Sequence, residues 1–218
     1  MTLVQQPFTS HNHSHSVPLA KAPIQSNQPT QSNGFGKSYW GPRLWYIIHK
    51  LSYAFPEKAT MEQQQLYFSY FNLTRFMIPC PYCSVHFKSS IQAKLLSRNL
   101  NNRQQVIDWF RDLHNDVNIS NSKRTYQGFE VDYLYSGLEF NHLSFHQLLD
   151  YLYNLVIHNE VDRKAFIHWV LLTYKLHPCQ HCRIQGELYF KRNDIEKLRF
   201  TDNAVLKGWI EGIKNVKL

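Results

Sequence analysis

Two cysteines three positions apart, Cys80 and Cys83, stand in the stretch Pro79-Cys80-Pro81-Tyr82-Cys83-Ser84-Val85-His86-Phe87, followed by a histidine and surrounded by aromatics. At a helix start such a pair can close a small disulfide, and the unpaired amides of the helix N-terminus lower the pKa of the first thiol. The thiolate is the nucleophile of thiol-disulfide exchange, so exchange chemistry is the first expectation. A bare C-x-x-C is not specific, because zinc knuckles, thioredoxin-like proteins and haem attachment sites also use it. Cys179 and Cys182 repeat the spacing and account for the remaining cysteines, with none left for long-range bridges. Pairing of this kind favours redox or metal chemistry over a disulfide scaffold.

The elements that must position these groups are helical. The expected fold is all-α: a four-helix bundle followed by a second, degenerate helical bundle. Residues 1–36 are rich in Gln, Ser, Asn, His and Pro and read as a disordered polar arm. The alternating His11, His13 and His15 fall there, without a cysteine, and no residue is assigned to a metal. From Trp40 on the pattern turns helical, with Pro42 as a first-turn residue, and it runs through Trp45, Ile48, His49, Ser52 and Tyr53 to a stop at Pro56. A second helix fits 60–77, with Leu66, Phe68, Tyr70, Phe71, Leu73 and Phe76 on a broad aromatic face. A third opens at Pro81 and runs to about Leu96. A fourth spans about Arg103 to Val117 with Val106, Trp109, Phe110 and Leu113 inward. These give a bundle at 37–127. Residues 119–141 lose the periodicity and read as a connector. Helical patterning resumes at 142–158, 163–176, after Pro178 and at 202–215, making 128–218 a helical second half.

Laid over each other at an offset of 99 residues, Leu73 to Cys83 falls on Leu172 to Cys182, so that helix, Pro, C-x-x-C and helix recur. Trp109 lands within one residue of Trp209. A duplicated bundle with a degenerate second copy is the expectation. Composition narrows the rest. The 218 residues carry 43% hydrophobic side chains, enough for a real core, and a net charge of +8. Lys and Arg are scattered, without a basic block interleaved with aromatics, so no nucleic-acid role is expected. No apolar run is long enough to span a membrane, and the polar opening lacks the heart of a signal peptide, so an intracellular protein is expected.

In the first half, polar residues stand where a simple core would not need them: His49 beside Trp45, His86 after Cys83, and His114-Asn115-Asp116-Val117-Asn118 ending the fourth helix. Each alone reads as a cap or a satisfied core group. Together with the C-x-x-C pair they form an ordered set that resembles the Erv/ALR family of FAD-dependent sulfhydryl oxidases over about residues 39–127. That family carries a Trp-x-x-x-His first helix, C-x-x-C-x-x-His-Phe, and His-Asn-x-Val-Asn followed by Lys. The resemblance implies Cys80 and Cys83 as the catalytic pair. It further implies Arg43, Trp45, His49, Tyr53, His86, His114, Asn115, Val117, Asn118, Lys123 and Tyr126 as FAD-binding residues. Two departures stand out: Asn121-Ser122 replaces the family's Leu-Gly before the Lys, with Arg124 in place of the following Pro, and Gly128 stands where many members have a structural cysteine.

By the resemblance, a substrate dithiol attacks the pair at Cys80, Cys83 lies beside the flavin, and molecular oxygen is the acceptor, giving hydrogen peroxide. Implied partners are protein dithiols, thioredoxin-like or viral, and a homodimer in which the second half could occupy the pairing surface. One intact bundle with a degenerate one looks more like a protein of a large DNA virus, which would act in the host cytoplasm, nucleus or virion. For Cys179 and Cys182 two readings stay open, a shuttle disulfide or a structural, vestigial disulfide, and the second is favoured. Rivals for the whole chain are a glutaredoxin-like protein, since Cys-Pro-Tyr-Cys is also that family's active site, and a zinc-stabilised module using all four cysteines. A third is an oxidase-derived scaffold without turnover.

Overall fold

The computed structural model describes residues 36–137, 139–193 and 202–216. The expected polar arm lies outside the described residues except for Gly36. In order come α1 (Lys37–Tyr53), α2 (Met61–Thr74), α3 (Pro81–Ala93), α4 (Arg103–Ser120), α5 (Gly128–Tyr135), α6 (His142–Ile157), α7 (Arg163–Lys175), α8 (Gln180–Arg192) and α9 (Asn203–Lys214). No strand occurs among the described residues, which leaves no sheet to carry a glutaredoxin-like site. No helix among them is long and apolar enough to cross a membrane.

Local chemistry sets the boundaries. Thr60 caps α2 by accepting from the Gln63 amide at 3.2 Å, while the Gln63 side chain takes the Thr60 amide at 2.9 Å, a reciprocal box that closes two orphan donors. Cys80 caps α3: its Sγ accepts from the Cys83 amide at 3.2 Å, and Pro81 fills the first helical position, where no N–H is needed. Asn102 and Asp162 cap α4 and α7 in the same way. The α1 start differs from expectation. The helix begins at Lys37, three residues before Trp40, and the buried Trp40 and Gly41 hold its first turns in place. The proline removes only one bond near the N-terminus, and the Arg43 guanidinium donates to the Tyr39 carbonyl at 2.6 Å across that turn.

Other expectations are corrected by packing. Within the supposed connector stands α5, an eight-residue helix with only Val131 buried, while Phe129, Tyr133 and Leu134 face outward. Such a helix shows no apolar stripe for sequence to reveal. It is held instead by Glu130, which accepts from the Gln127 amide and from Arg124, both at 2.8 Å. Phe68 and Phe76, placed on the inward face of the second helix, are partly exposed, and Tyr67, Tyr70, Phe71 and Thr74 form the buried face. The third helix ends at Ala93 because Leu95 turns left-handed at φ 47° and a short 3-10 turn follows.

A single hydrophobic core runs through both halves. In chain order α1, α2, α3 and α4 correspond to α6, α7, α8 and α9, and the packing follows the correspondence: α1 on α4, α6 on α9, α1 on α6, α2 on α7. At the α2–α7 crossing, residues 99 apart meet. Tyr70 stacks on Trp169 with centroids 5.8 Å apart, Trp169 donates to Thr74 Oγ1 at 3.1 Å, and Thr74 and Thr173 each bond back to the carbonyl four residues earlier.

The end of α4 is a Schellman turn: the Lys123 amide donates to the Asn118 carbonyl at 2.8 Å and the Ser122 amide to Ile119 at 3.0 Å. Ser122 sits at φ 54°, the left-handed region that favours glycine. Ser122→Gly is therefore expected to stabilise the fold by about 1 kcal/mol, raising the midpoint of thermal unfolding by roughly 2–4 °C. An unchanged or lowered melting temperature in a calorimetric scan would contradict this reading of the turn.

Candidate functional site

The Cys80–Cys83 disulfide closes at the start of α3. Both sulfur-bearing residues are half-buried, so Cys80 is less open than the sequence suggested, and Tyr82 between them is exposed. Cys83 faces a cleft between α1, α3 and the end of α4, about 820 Å³ of space partly open to solvent. One wall is a stripe of α1: Lys37, Trp40, Gly41, Leu44, Trp45 and Ile48. The other carries Ile78, Tyr82, Cys83, His86 and Phe87, and Val117, Ser120 and Asn121 close the end. The floor is apolar and aromatic, with polar groups gathered where the Lys37 ammonium donates to Asn121 Oδ1 at 3.0 Å. This is the usual character of a small-molecule site.

Behind Trp45 lies a column of rings. Trp45 stacks on His114 with centroids 4.1 Å apart and planes within 6°. His114 Nδ1 meets His49 Nε2 at 3.0 Å, and His49 stacks on Tyr135 at 4.5 Å. His49 is fully buried and its Nδ1 has no hydrogen-bond partner. The column is anchored by Lys50, a buried lysine whose ammonium donates to the Tyr135 carbonyl at 3.1 Å and to that of Gly137, thereby capping α5. Burial lowers the Lys50 pKa from its ordinary value, opposed by the charge of Glu139.

Of the sequence-derived candidates, Cys83, Trp45, His86 and Val117 come together in the cleft, and His49 and His114 stand directly behind it. Asn115 acts on the backbone: its side chain both donates to the Tyr126 carbonyl at 2.9 Å and accepts from the Tyr126 amide at 2.8 Å, fastening loop 121–127 to α4. Asn118 is buried and contributes the carbonyl of the Schellman turn. Lys123 is exposed just beyond the cleft end, and the Tyr126 ring lies 5.8 Å from His114. Arg43 and Tyr53 turn elsewhere. Arg43 donates to Gln147 on α6, and the Tyr53 hydroxyl donates to Asp132 on α5. The second cysteine pair, expected as a disulfide, holds two free thiols, with Cys182 buried.

Sequence reasoning missed Lys37, Trp40, Gly41, Leu44, Ile48, Ile78, Phe87, Ser120 and Asn121 as lining. The signal existed for α1, since 37, 40/41, 44/45 and 48 follow one helical stripe through Trp45. It was obscured because the stripe was followed only from Trp45 onward.

Residues 42–135 match the Erv1 / Alr family model, which reaches through α5. A protein of Acanthamoeba polyphaga mimivirus named "Probable FAD-linked sulfhydryl oxidase" is 28% identical over 86 residues, covering 39% of this chain and 60% of its own length. The chain thus spans about 60% of the curated relative it matches. No solved structure matches the chain.

Both imidazoles of the column are held neutral. Burial, helped by the charge of Lys123, brings His114 down to about 4, and burial with the neighbouring His114 holds His49 well below its ordinary value. Since the folded pKa lies below the unfolded value of about 6.5, the unfolded chain takes up protons first as pH falls. Stability conferred by neutral His114 is complete above pH 6.5 and is lost between there and about pH 4, to the extent of about 3 kcal/mol. His114→Asn is expected to flatten the dependence of stability on pH over that window in urea titrations. A slope unchanged from the parent would contradict the assignment.

Proposed function

From the match of residues 42–135 to the Erv1 / Alr family model, we propose that this protein is an FAD-dependent sulfhydryl oxidase. It forms disulfides in protein dithiols through Cys80–Cys83, with oxygen as acceptor and hydrogen peroxide as product. The observation that carries this reading is a closed disulfide whose inner member, Cys83, lines an aromatic cleft. The residues present suit a flavin. A flat apolar ring system matches the Leu44, Ile48, Ile78 and Phe87 walls, Lys37, Ser120 and Asn121 offer polar contacts at one end, and the orphaned His49 Nδ1 marks an unsatisfied polar atom behind them. When bound, FAD supplies the two-electron acceptor that a dithiol lacks.

The chain's own residues account for the exchange half-reaction. A substrate thiolate attacks Cys80 Sγ, the sulfur outside the cleft; the Cys80–Cys83 bond breaks, and its electron pair leaves on Cys83 as a thiolate within the cleft. The second substrate thiol, after losing its proton, attacks the substrate sulfur of the mixed disulfide and expels Cys80. Oxidised substrate departs and the enzyme holds two reduced cysteines. The α3 N-terminus lowers the cost of the Cys80 thiolate, whose sulfur already accepts the Cys83 amide. The walls of α1 and α3 orient the acceptor against Cys83 and limit water. The neutral His49–His114 pair holds Trp45 in place without adding a charge.

In this reading α1–α5, through about residue 135 rather than the expected 127, form the oxidase bundle, and α6–α9 a degenerate copy. The α6 and α7 faces occupy, within one chain, the surface a partner subunit would cover. That support comes from the α1–α6 and α2–α7 pairings; association of two whole chains into a homodimer is a separate, further proposal. A zinc module built from all four cysteines is disfavoured because Cys80 and Cys83 are bonded to each other.

Oxygen uptake in the presence of dithiothreitol tests the proposal. The parent chain is expected to consume oxygen and release peroxide, and Cys83→Ser to lose the rate by on the order of 1,000-fold while retaining FAD. Flavin-replete parent protein that consumes no oxygen, or a fully active Cys83→Ser, would refute it.

A further inference from the structure

In the first half Ile78 and Cys83 line the cleft; their counterparts 99 residues on are His177 and Cys182. There a different set of side chains is assembled, with Cys182 and His177 buried and His142 partly exposed. His142, at the start of α6, brings Nε2 to 4.0 Å from Cys182 Sγ. The His142 and His177 rings lie 5.2 Å apart and nearly parallel, and Phe140 packs on His177 at 4.1 Å. One ligand atom from each of His142, His177 and Cys182 falls within 4.8 Å of the others. Cys182 and His177 are fully buried, yet His177 Nε2 and His142 Nδ1 have no hydrogen-bond partner. Each such orphan costs about 1–3 kcal/mol unless something satisfies it. His146 Nε2, one turn along α6 from His142, is a third orphan.

We propose that His142, His177 and Cys182 bind a zinc ion, with Cys179 as the fourth ligand. Two imidazoles and two thiolates make a closed tetrahedral donor set, and the three-residue cluster contains no carboxylate to favour a hard cation. Cys179 stands at the N-cap of α8, with its Sγ accepting from the Cys182 amide at 3.3 Å and its own amide donating to His177 Nδ1 at 3.1 Å. Coordination through Nε2, the nitrogen without a partner, moves the His177 ring proton to Nδ1, so the Cys179 amide releases that acceptor as the ion enters. The two thiols give their protons to solvent, and no atom changes oxidation state. The second cysteine pair is thereby kept reduced as a clamp between α6 and the α7–α8 turn rather than used as a redox shuttle. This inference is independent of the oxidase reading, since none of its ligands lines the first cleft.

The test is the zinc content of the full chain, purified under reducing conditions, loaded with zinc chloride and dialysed, measured by plasma mass spectrometry beside native mass spectrometry. One zinc per chain is expected in the parent and in the Cys80→Ser/Cys83→Ser variant. His142→Gln and Cys182→Ser are expected to bind zinc at least about 100-fold more weakly. Should Cys182→Ser fail to fold, His142→Gln at the partly exposed end of the site decides, together with a chelator that lowers the melting temperature of the parent but not of that variant. A zinc-free parent, zinc retained by His142→Gln, zinc lost from Cys80→Ser/Cys83→Ser, or a Cys179–Cys182 disulfide in the loaded protein would overturn the proposal.

Discussion

The site depends on a stack of four rings whose inner hydrogen bond joins two neutral imidazoles. Tyr135 covers His49, His49 meets His114 edge to edge, and His114 lies flat on Trp45. Trp45 is the only one of the four that reaches the cleft. Its position is therefore set by His49 on its own helix and by His114 and Tyr135 from two others. The buried ammonium of Lys50 fixes the end of α5 and so the Tyr135 end of the stack. Asn115 fixes the loop that brings Lys123 and Tyr126 beside His114. A charge on either histidine would be stranded away from water, which is why burial dominates both pKa shifts.

Much of the bundle was legible because its helices announce themselves. The proline at position 81 and the stripe Val106, Trp109, Phe110, Leu113 are local signals that the structure uses, and the caps at Thr60, Asn102 and Asp162 are local signals that went unread. The C-x-x-C pair was readable for the same reason: its geometry is set by one helix start. What escaped was held by distant partners. Helix α5 buries one side chain and depends on Glu130 and Lys50, the latter more than seventy residues earlier, so no window of sequence contains its cause. Arg43 has the type of a cofactor ligand but the opposite face of α1, where Gln147 satisfies it. His142 and His177 are 35 positions apart, and only the packing of α6 on α7 brings them together.

In the reading proposed above, one arrangement of helices is turned to two ends. Both carry a cysteine at the N-cap with its sulfur accepting the amide three residues on. In the first half the inner cysteine opens onto a cleft walled by Ile78 and Trp45. In the second, a histidine takes the isoleucine's place, and the inner cysteine is buried beside two imidazoles. The Tyr70–Trp169 stack at the α2–α7 crossing ties the halves into a single core.

The central claim is that Cys83 and the α1 stripe form the two walls of a flavin site. A crystal structure of the full chain purified with its bound cofactor tests it most directly. The account predicts the isoalloxazine between Leu44–Ile48 and Cys83–Phe87, with Cys83 the nearer sulfur of the pair. A chain crystallised without flavin despite saturation with FAD, or flavin seated in the groove by Leu172 and Arg183 on α7 and α8, would contradict it.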